Sequence, residues 1–367
     1  MYSNDDEKYM RRALELAGKA LGRTSPNPVV GAVLVKDGRI NGEGYHKKAG
    51  TPHAEIHALN AAGREAFGST LYVTLEPCSH YGKTPPCADA IVKAGVKKVV
   101  AAILDPNPKV AGRGIEILHK AGIVTQVGLL DNEARRINEV FLKYIQTGLP
   151  FVTLKTAMSL DGKIATRTGN SQWITNPVSR TYVHQLRNIY DAILVGIGTV
   201  LKDDPLLNTR LEQPETRNPV RIIIDSNLDL PLQSRIVQTA EQQRTMVFTS
   251  RTGHAKKAEL LKGRGIEIIK LDHQAQQLPI QEILKILGQM EICSVLVEGG
   301  GEINGYMIEN SLIDKVHWFI APKIIGGRDA PSPIGGTGIE KMMQAKELHD
   351  IEISTFGDDL MITGYLN

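Results

Sequence analysis

The stretch from Thr51 to Cys87 constrains this chain most, because it places one histidine and two cysteines where a single metal ion could bind all three. His53 is followed after one residue by Glu55, and Cys78 and Cys87 come downstream. One imidazole and two thiolates are three of the four ligands that tetrahedral Zn²⁺ prefers, and a catalytic zinc leaves the fourth position to water. Glu55 could reach that water without binding the metal, as the proton-carrying glutamate of a zinc deaminase does. The set therefore predicts a zinc-dependent hydrolytic deaminase.

Local sequence patterns predict that two helix starts and one strand end bring these residues together. We predict a helix over Ala54–Ala66, a strand over Leu71–Leu75 and a helix over Ala88–Ala94. Prolines precede both helices, as is typical of helix starts, and the histidine and the glutamate fall at the first turn of the first helix. The strand leads to the first cysteine, and α/β sheets keep their sites at the carboxyl ends of strands. The pattern therefore predicts a metal site at one edge of a sheet.

The same residues also allow other interpretations. Taken singly, the histidine could be a satisfied core or surface residue, and the cysteines could be buried thiols or, in a secreted protein, a disulfide. The zinc-deaminase signature H-x-E…P-C-x-x-C has two residues between its cysteines, whereas the insert Ser79–Pro86 has eight. His80 in this insert is a rival ligand, and a fourth protein ligand would make the zinc structural and the chain a non-enzymatic scaffold. We favour Cys87 as the ligand because a proline-led helix start positions it.

Length and charge favour a two-domain enzyme that acts on a small molecule. At 367 residues the chain exceeds the usual size of one domain, and Thr147-Gly148-Leu149-Pro150 is typical of a boundary. We therefore predict a deaminase domain over residues 1–147 and a second domain over residues 148–367. A net charge of only +3 gives no electrostatic basis for nucleic acid as a bulk ligand. This argues against the main alternative, a zinc deaminase of nucleic-acid bases with a C-terminal binding module.

Cysteine use and hydropathy favour a cytoplasmic protein. Two of the three cysteines are assigned to the metal, and Cys293 is predicted to be a buried strand residue, which suits a reducing compartment. The segment 1–12 is charged and has no apolar core, unlike a signal peptide. No apolar run approaches the ~20 residues of a membrane-spanning helix. We therefore expect no membrane partner.

Both domains are predicted to be α/β. The first follows the order β-β-α-β-α-β-α-β-α, which implies a mixed sheet between helix layers, and its last helix is predicted to run from Asp131 to about Gln146. In the second, strands alternate with helices and a hairpin closes the chain. Gly196-Ile197-Gly198 is an incomplete dinucleotide-binding fingerprint. Glu298-Gly299-Gly300-Gly301 could hold a pyrophosphate at a helix N-terminus or could be only a tight turn.

Motifs along nearly the whole chain resemble those of one family. In the first domain they are Pro26-Asn27-Pro28-Val29-Val30-Gly31, Gly42-Glu43-Gly44-Tyr45-His46, Pro52-His53-Ala54-Glu55, Val73-Thr74-Leu75-Glu76-Pro77-Cys78-Ser79-His80 and Gly82-Lys83-Thr84-Pro85-Pro86-Cys87. In the second they are Lys155, Ser159-Leu160-Asp161-Gly162, Ser171-Gln172-Trp173-Ile174-Thr175, Asp203-Asp204-Pro205, Ile224-Asp225-Ser226 and Val297-Glu298-Gly299-Gly300. The chain is similar to the bifunctional riboflavin-biosynthesis deaminase/reductases, in which the long insert between the cysteines is usual.

The resemblance implies a fold and two reactions. The first domain would have the three-layer cytidine-deaminase fold. With zinc, it would convert 2,5-diamino-6-(5-phosphoribosylamino)pyrimidin-4-one into 5-amino-6-(5-phosphoribosylamino)uracil and ammonia. The second domain would resemble dihydrofolate reductase, which binds its cofactor without a complete glycine fingerprint, and would use NADPH to reduce the ribosyl group to ribityl. The family also implies a homo-oligomer, a dimer or a tetramer.

The resemblance further assigns roles to individual residues. His53, Cys78 and Cys87 would hold the zinc, and Glu55 would carry protons. The deaminase substrate would meet Asn27, His46 and Lys83. The NADPH site would include Ala157, Trp173, Thr199, Ser226, Gly299, Gly300 and Gly301, and Asp203 would bind either the cofactor or the sugar. The reductase substrate would meet Lys155, Ser171, Arg187, Leu206, Arg210 and Glu298, with both arginines on its phosphate, because a guanidinium binds phosphate bidentately. Apart from the resemblance, the position of Ser250-Arg251 after a strand makes it a candidate contact for the 2′-phosphate of the cofactor.

Overall fold

The computed structural model describes residues 2–79, 85–107, 111–250, 255–272 and 278–366. The chain divides into two compact units, Met1–Leu149 and Pro150–Asn367, called unit 1 and unit 2 below. Three candidate site residues, His80, Lys83 and Arg251, lie outside the described residues. In the part of the chain that is described, no helix combines the length and the apolar character needed to cross a membrane.

Unit 1 is built on a five-stranded mixed sheet. Its strands are β1 (Gly31–Lys36), β2 (Arg39–Tyr45), β3 (Thr70–Val73), β4 (Lys98–Ala101) and β5 (Val124–Val127). Its helices are α1 (Asn4–Gly18), α2 (Ala54–Ala62), α3 (Cys87–Lys93), α4 (Arg113–Lys120), α5 (Asp131–Ile137) and α6 (Glu139–Thr147). The strand order is β2-β1-β3-β4-β5. β1 pairs antiparallel with β2 and β3, whereas β3, β4 and β5 run parallel, so the predicted mixed sheet is confirmed.

Helices cover both faces of this sheet. The central strands β1, β3 and β4 are buried along almost their whole length, which requires apolar neighbours on each face. Helix α1 contacts β1 and α5, whereas α2, α3 and α4 pack beside one another. Tyr9 and Met10 of α1 lie in the same hydrophobic core as Leu34 of β1 and Ile91 of α3. The arrangement is the three-layer α/β fold expected for unit 1.

The helix predicted from Asp131 to about Gln146 is two helices, α5 and α6, which meet at Asn138. Asn138 is 2% exposed. Its Nδ2 donates to the carbonyl oxygen of Val29 at 3.0 Å, and its Oδ1 accepts from the N–H of Val29 at 2.9 Å. To reach this partner, the backbone of Asn138 leaves the helical region, with φ −107° and ψ 15°. A contact between residues 109 positions apart therefore breaks the helix.

The helix predicted over Ala54–Ala66 is also shorter than expected. Helix α2 ends at Ala62, and a 3-10 turn over Gly63–Ala66 follows it. Gly63 has φ +54°, a left-handed conformation that glycine adopts readily and that ends the α-helix.

Unit 2 is built on a nine-stranded sheet. Its strands are β6 (Phe151–Ser159), β7 (Ala192–Gly196), β8 (Val220–Ile224), β9 (Thr245–Ser250), β10 (Ile266–Leu271), β11 (Ser294–Val297), β12 (Lys315–Ala321), β13 (His349–Phe356) and β14 (Asp359–Tyr365). Its helices are α7 (Pro177–Ile189), α8 (Ile197–Asp203), α9 (Arg235–Gln238), α10 (Ala255–Lys262), α11 (Ile280–Gln289) and α12 (Gly301–Glu309). The strand order is β10-β9-β8-β7-β11-β6-β12-β14-β13.

Every strand of unit 2 except β14 runs in the same direction. β13 and β14 form the predicted closing hairpin. Helices α8 and α9 were not predicted, since they span only 7 and 4 residues, and Gly198 in α8 also disfavours a helix. Strands β8, β7, β11 and β6 are successive neighbours, so their carboxyl ends meet at one edge of the sheet. Ligands of parallel α/β sheets bind at such an edge, which is where Ser226, Thr199 and Glu298 follow their strands.

Candidate active sites

Three side chains of unit 1 form a cluster that can bind one metal ion. His53 Nδ1 lies 3.5 Å from Cys78 Sγ and 3.4 Å from Cys87 Sγ, and the three ligand atoms all lie within 4.8 Å of one another. With Zn–S bonds of about 2.3 Å and Zn–N bonds of about 2.05 Å, tetrahedral angles separate sulfur from nitrogen by about 3.6 Å. The observed distances therefore fit a single tetrahedral zinc held by these three residues.

Two of the ligands lie at helix starts, and the third lies in the segment that follows a strand. His53 is the N-cap residue of α2, Cys87 is the first residue of α3, and Cys78 follows β3. The N–H of Cys87 donates to Cys78 Sγ at 3.3 Å. The Cys87 thiol, together with the His53 imidazole, lowers the pKa of Cys78 well below that of a free thiol. Cys78 is therefore favoured as a thiolate, the form of cysteine that binds metals, whereas the hydrogen bond with Cys78 and burial raise the pKa of Cys87.

Glu55 lies in the first turn of α2, beside the cluster. It is 3% exposed, and burial raises the pKa of its carboxyl group to about 7. Two glycines of β2 allow α2 to come this close, since a Cβ on Gly44 would lie 2.4 Å from the carbonyl oxygen of Ala54, and one on Gly42 would lie 2.3 Å from that of Ala58. A carboxyl group with a pKa near the working pH can both accept and donate a proton.

Asn27 and His46 also lie beside the cluster. The His46 ring meets the His53 ring edge-on, with centroids 5.2 Å apart. His46 Nε2 is 3.2 Å from Asn27 Nδ2, and its Nδ1 is 3.2 Å from the carbonyl oxygen of Pro52. A neutral ring with its proton on Nδ1 satisfies both partners, and burial lowers the pKa of His46, which favours this form. Of the residues predicted for deamination, Lys83 alone lies outside the described residues.

Two further residues support this site and were not predicted. Asn138 holds Val29, two residues after Asn27, through the amide pair described above. Glu76 accepts hydrogen bonds from four backbone N–H groups between 29 and 39 positions away in the chain. The sequence offers one signal for Glu76, an acidic residue directly before Pro-Cys at the end of an apolar strand. For Asn138 we find no such signal.

A cavity of about 610 Å³ lies in unit 2 next to the ends of β7 and β11. Its lining includes five predicted site residues, namely Ser171, Thr199, Asp203, Gly300 and Gly301. Two cationic residues, Lys202 and Arg328, also line it, together with two further acidic residues, Glu302 and Asp329. The volume is typical of a site for a small molecule or cofactor. The predicted cofactor residues Thr199, Asp203, Gly300 and Gly301 and the predicted substrate residue Ser171 thus face the same space.

The start of α12 packs tightly against the loop that forms another part of the lining. A Cβ on Gly301 would lie 3.0 Å from the carbonyl oxygen of Ser332, and the N–H of Gly335 donates to the carbonyl oxygen of Gly301 at 2.9 Å. Asn304 Nδ2 donates to the carbonyl oxygen of Pro333 at 2.9 Å, while its buried Oδ1 has no partner among the described residues. Bare backbone at a helix N-terminus fits the phosphate of a bound nucleotide.

Lys155, Arg187 and Glu298 form a largely buried charged group. Arg187 Nε and Nη2 donate to Glu298 Oε1 and Oε2 at 2.7 and 2.8 Å, and Lys155 Nζ lies 4.0 Å from Glu298 Oε2. Burial alone would raise the pKa of Glu298, but the charge and hydrogen bonds of Arg187, together with the charges of Lys155 and His184, outweigh burial and hold this pKa at about 2. Burial lowers the pKa of Lys155. Glu298 thus occupies the two donors with which Arg187 was expected to bind phosphate bidentately.

Leu206 and Arg210 lie on the segment that follows α8. Arg210 is exposed, and its Nη1 donates to Asn208 Oδ1 at 2.9 Å. Arg187 Nη1 donates to the carbonyl oxygen of the same asparagine at 3.2 Å, so two guanidinium groups meet there. The carbonyl oxygen of Leu206 accepts from Arg221 at 3.3 Å. Arg221 is fully buried, was not predicted, and fixes this segment to β8.

The remaining residues predicted for the cofactor, Ala157, Trp173, Ser226 and Gly299, lie outside the described lining of the cavity. Trp173 is 60% exposed, and the guanidinium carbon of Arg180 lies 4.6 Å from the centre of its ring. The carbonyl oxygen of Ser226 accepts from the N–H of Ser250 at 3.1 Å. Their roles in binding NADPH stay predictions.

Comparisons with known proteins agree with a metal site in unit 1 and a different activity in unit 2. Residues 3–103 match the cytidine and deoxycytidylate deaminase zinc-binding region, and residues 150–362 match the RibD C-terminal domain. The riboflavin biosynthesis protein RibD of Aquifex aeolicus is 46% identical over 357 residues, which are 97% of this chain and 97% of that protein. The structure of Acinetobacter baumannii RibD, form 1, matches with a TM-score of 0.88 and 39% identity over 99% of both chains. A Thermotoga maritima structure, described as a diaminohydroxyphosphoribosylaminopyrimidine deaminase/5-amino-6-(5-phosphoribosylamino)uracil reductase, matches with a TM-score of 0.86 and 39% identity, again over 99% of both chains.

Proposed function

We propose residue roles for this chain, which belongs to the RibD family of bifunctional deaminase/reductases of riboflavin biosynthesis. The deaminase domain spans residues 1–147 and converts 2,5-diamino-6-(5-phosphoribosylamino)pyrimidin-4-one into 5-amino-6-(5-phosphoribosylamino)uracil and ammonia. The reductase domain spans residues 148–367 and uses NADPH to reduce the ribosyl group of that product to ribityl. The observation that carries the proposal is the cluster of His53, Cys78 and Cys87 beside the buried carboxyl group of Glu55.

In the deaminase domain, zinc bound by the three-residue cluster supplies Lewis-acid activation of a water molecule. Glu55 takes a proton from the attacking water and passes it to the ring nitrogen. It then carries the second proton of that water to the amine, so that oxygen replaces nitrogen on the ring and ammonia leaves. The raised pKa of Glu55 supports this role, because the carboxyl group must hold the proton between the two transfers.

Asn27 and His46 bind and orient the pyrimidine. Because His46 Nε2 accepts from Asn27 Nδ2, the amide of Asn27 is held in one orientation, with Oδ1 available to accept from an amino group of the substrate. Lys83, carried on the insert between the cysteines, contributes a positive charge for the substrate phosphate or a ring oxygen.

In the reductase domain, NADPH supplies the hydride. The backbone N–H groups around Gly299, Gly300 and Gly301 approach the pyrophosphate of the cofactor, as their position at the start of α12 suggests. The other cofactor contacts come from Ala157, Trp173, Thr199, Asp203 and Ser226.

The phosphoribosyl group of the substrate binds to the charged group of Lys155, Arg187 and Glu298 and to the neighbouring Arg210. Lys155 donates to the ribosyl group, Glu298 accepts from its hydroxyl groups, and Ser171 and Leu206 complete the contact. Arg210 binds the phosphate, because its guanidinium is exposed, whereas that of Arg187 is already paired with Glu298. Arg187 then acts on the substrate by fixing Glu298.

We also propose that the protein is a cytoplasmic homo-oligomer, a dimer or a tetramer. β13 is the outermost strand of the nine-stranded sheet, and its Ile351 and Ile353 are 57% and 67% exposed, which favours burial against another copy of the chain. Cys78, Cys87 and Cys293 form no disulfide, which suits a reducing compartment. Light scattering coupled to gel filtration tests the oligomeric state, and a monomeric mass would contradict the proposal. Cell fractionation tests the cytoplasmic location.

One experiment separates this function from its alternatives. Pure protein is incubated with the phosphoribosylated diaminopyrimidinone, with and without NADPH, and ammonia and nicotinamide oxidation are followed separately. We expect ammonia in both samples and oxidation of NADPH only after deamination has begun. A deaminase of nucleic-acid bases would release ammonia from an oligonucleotide instead, and a protein with a structural zinc would show neither activity.

A further inference from the structure

Glu76 is a buried carboxylate that accepts hydrogen bonds from four backbone N–H groups. The residue is 3% exposed. Its Oε1 accepts from Gly114 at 2.9 Å and from Ile115 at 3.3 Å, and its Oε2 accepts from Gly112 at 2.9 Å and from Asp105 at 3.2 Å. Hydrogen bonds to an ionised acceptor are stronger than those between neutral groups. Glu76 therefore fixes Asp105, which follows β4, and the start of α4.

Three of these N–H groups belong to the start of α4. The first N–H groups of a helix have no partner within the helix, and Gly112, the N-cap residue of α4, has no side chain that could accept from them. Glu76 takes the place of the missing cap, because it accepts from Gly112 and from Gly114 and Ile115 in the first turn. The positive end of the helix dipole also favours a carboxylate at this position.

The segment that contains Glu76 also carries the metal ligand Cys78. A single residue, Pro77, separates the two, and α4 packs so closely on it that a Cβ on Gly114 would lie 1.9 Å from the carbonyl oxygen of Pro77. On the other side, the N–H of Ala88 in α3 donates to the carbonyl oxygen of Cys78 at 3.2 Å. The starts of α3 and α4 thus hold this segment between them.

We propose that Glu76 is a positioning residue of the metal site: through the first turn of α4 it holds Pro77 and Cys78, so that Cys78 Sγ stays at the tetrahedral distance from His53 Nδ1. Glu76 itself touches neither the metal nor the substrate. Groups that orient metal ligands typically change metal affinity by about 10–100-fold when they are lost. The inference rests on the proposed zinc site and identifies a residue outside the ligand set that determines its affinity.

The test compares Glu76→Gln with a matched control. The substitution keeps the shape of the side chain but replaces one accepting oxygen by an NH₂ group, which cannot accept from the N–H groups that face it. The control is Glu116→Gln. Glu116 lies in the first turn of the same helix, but its side chain is 60% exposed and forms an ion pair with Lys120, at 2.6 Å between Oε1 and Nζ. Zinc affinity is measured by competition with a chromophoric chelator, and the Co²⁺-loaded proteins are compared by their visible spectra. Far-ultraviolet circular dichroism monitors folding.

We expect the zinc dissociation constant of Glu76→Gln to rise about 10–100-fold and its Co²⁺ spectrum to change, while the control behaves like the wild-type protein. A zinc affinity equal to that of the wild-type protein would overturn the inference. If Glu76→Gln loses its secondary structure, Glu76→Asp, which keeps the charge on a shorter side chain, is measured in the same way. Unfolding of this second variant would also overturn the inference, because a positioning residue leaves the fold intact when replaced. Wild-type protein that binds no zinc would instead refute the proposed function.

Discussion

The buried ion pair of unit 2 makes a quantitative prediction about Glu298→Gln. The pKa of Glu298 is about 2, against an ordinary value of 4.5. Since each pKa unit corresponds to about 1.36 kcal/mol, the ionised carboxylate contributes about 3 kcal/mol to folding at neutral pH. The side chains of Arg187 and Glu298 are each only 11% exposed, so solvent screens this contribution little. Because folding lowers the pKa, the contribution is complete above the unfolded value and is lost as the pH falls through the folded value.

Tryptophan fluorescence during urea denaturation measures this contribution in unit 2 alone. The chain has two tryptophans, Trp173 and Trp318, and both lie in unit 2. At pH 7, we expect the free energy of unfolding of Glu298→Gln to be lower than that of the wild-type protein by about 3 kcal/mol, because the substitution leaves the charge of Arg187 buried without its partner. The difference should shrink as the pH approaches the folded-state pKa.

The matched control is Glu267→Gln, which removes an ion pair of the same geometry from the surface of the same unit. Arg244 Nε and Nη2 donate to the two oxygens of Glu267 at 2.7 and 3.0 Å, but the side chains are 47% and 44% exposed. We expect the free energy of unfolding of this variant to fall by about 1 kcal/mol or less. Equal losses in the two variants, or a loss in Glu298→Gln that does not depend on pH, would refute the argument from burial.

Three other predictions concern the two activities. Glu55→Gln should retain its zinc in metal analysis but release no ammonia, because an amide cannot carry the proton; substantial remaining deamination would contradict that role. Removal of zinc by a chelator should abolish ammonia release, while oxidation of NADPH with the deaminated substrate continues, and added Zn²⁺ should restore deamination; loss of both activities would contradict two separate sites. Arg210→Ala should raise the Michaelis constant of the reductase for its phosphorylated substrate about 10–100-fold with deamination unchanged, since a charged hydrogen bond is lost; an unchanged constant would exclude Arg210 from phosphate binding.

The metal cluster could be predicted from the sequence because its signals are local. His53 and Cys87 each follow a proline at a helix start, and Cys78 follows a short apolar strand. Such patterns depend on neighbouring residues only, and the structure places all three ligand atoms within 4.8 Å of one another. The strands of both units were predictable for the same reason, since their apolar runs are short and bounded by turn residues.

Contacts between distant positions could not be predicted in this way. The pairing of Asn138 with Val29 spans 109 positions and breaks a helix whose own residues favour continuity. The pairing of Arg187 with Glu298 spans 111 positions and occupies a guanidinium that was expected to bind phosphate. An asparagine or an arginine within a helical pattern is ordinarily solvent-exposed, so neither residue carries a sign of its distant partner.

The pocket proposed above for the reductase substrate is not electrically balanced. Lys155, Arg187 and Arg210 bring three positive charges and Glu298 one negative charge, which leaves a surplus of two. Burial, together with these arginines, lowers the pKa of His184 to about 4, so this imidazole adds no charge at neutral pH. A phosphate monoester carries a charge of about −1.5 to −2 at neutral pH and therefore nearly neutralises the pocket. We therefore expect this pocket to select against a sugar without its phosphate, because its like charges would have no counter-charge. A substrate that is dephosphorylated before reduction should react poorly.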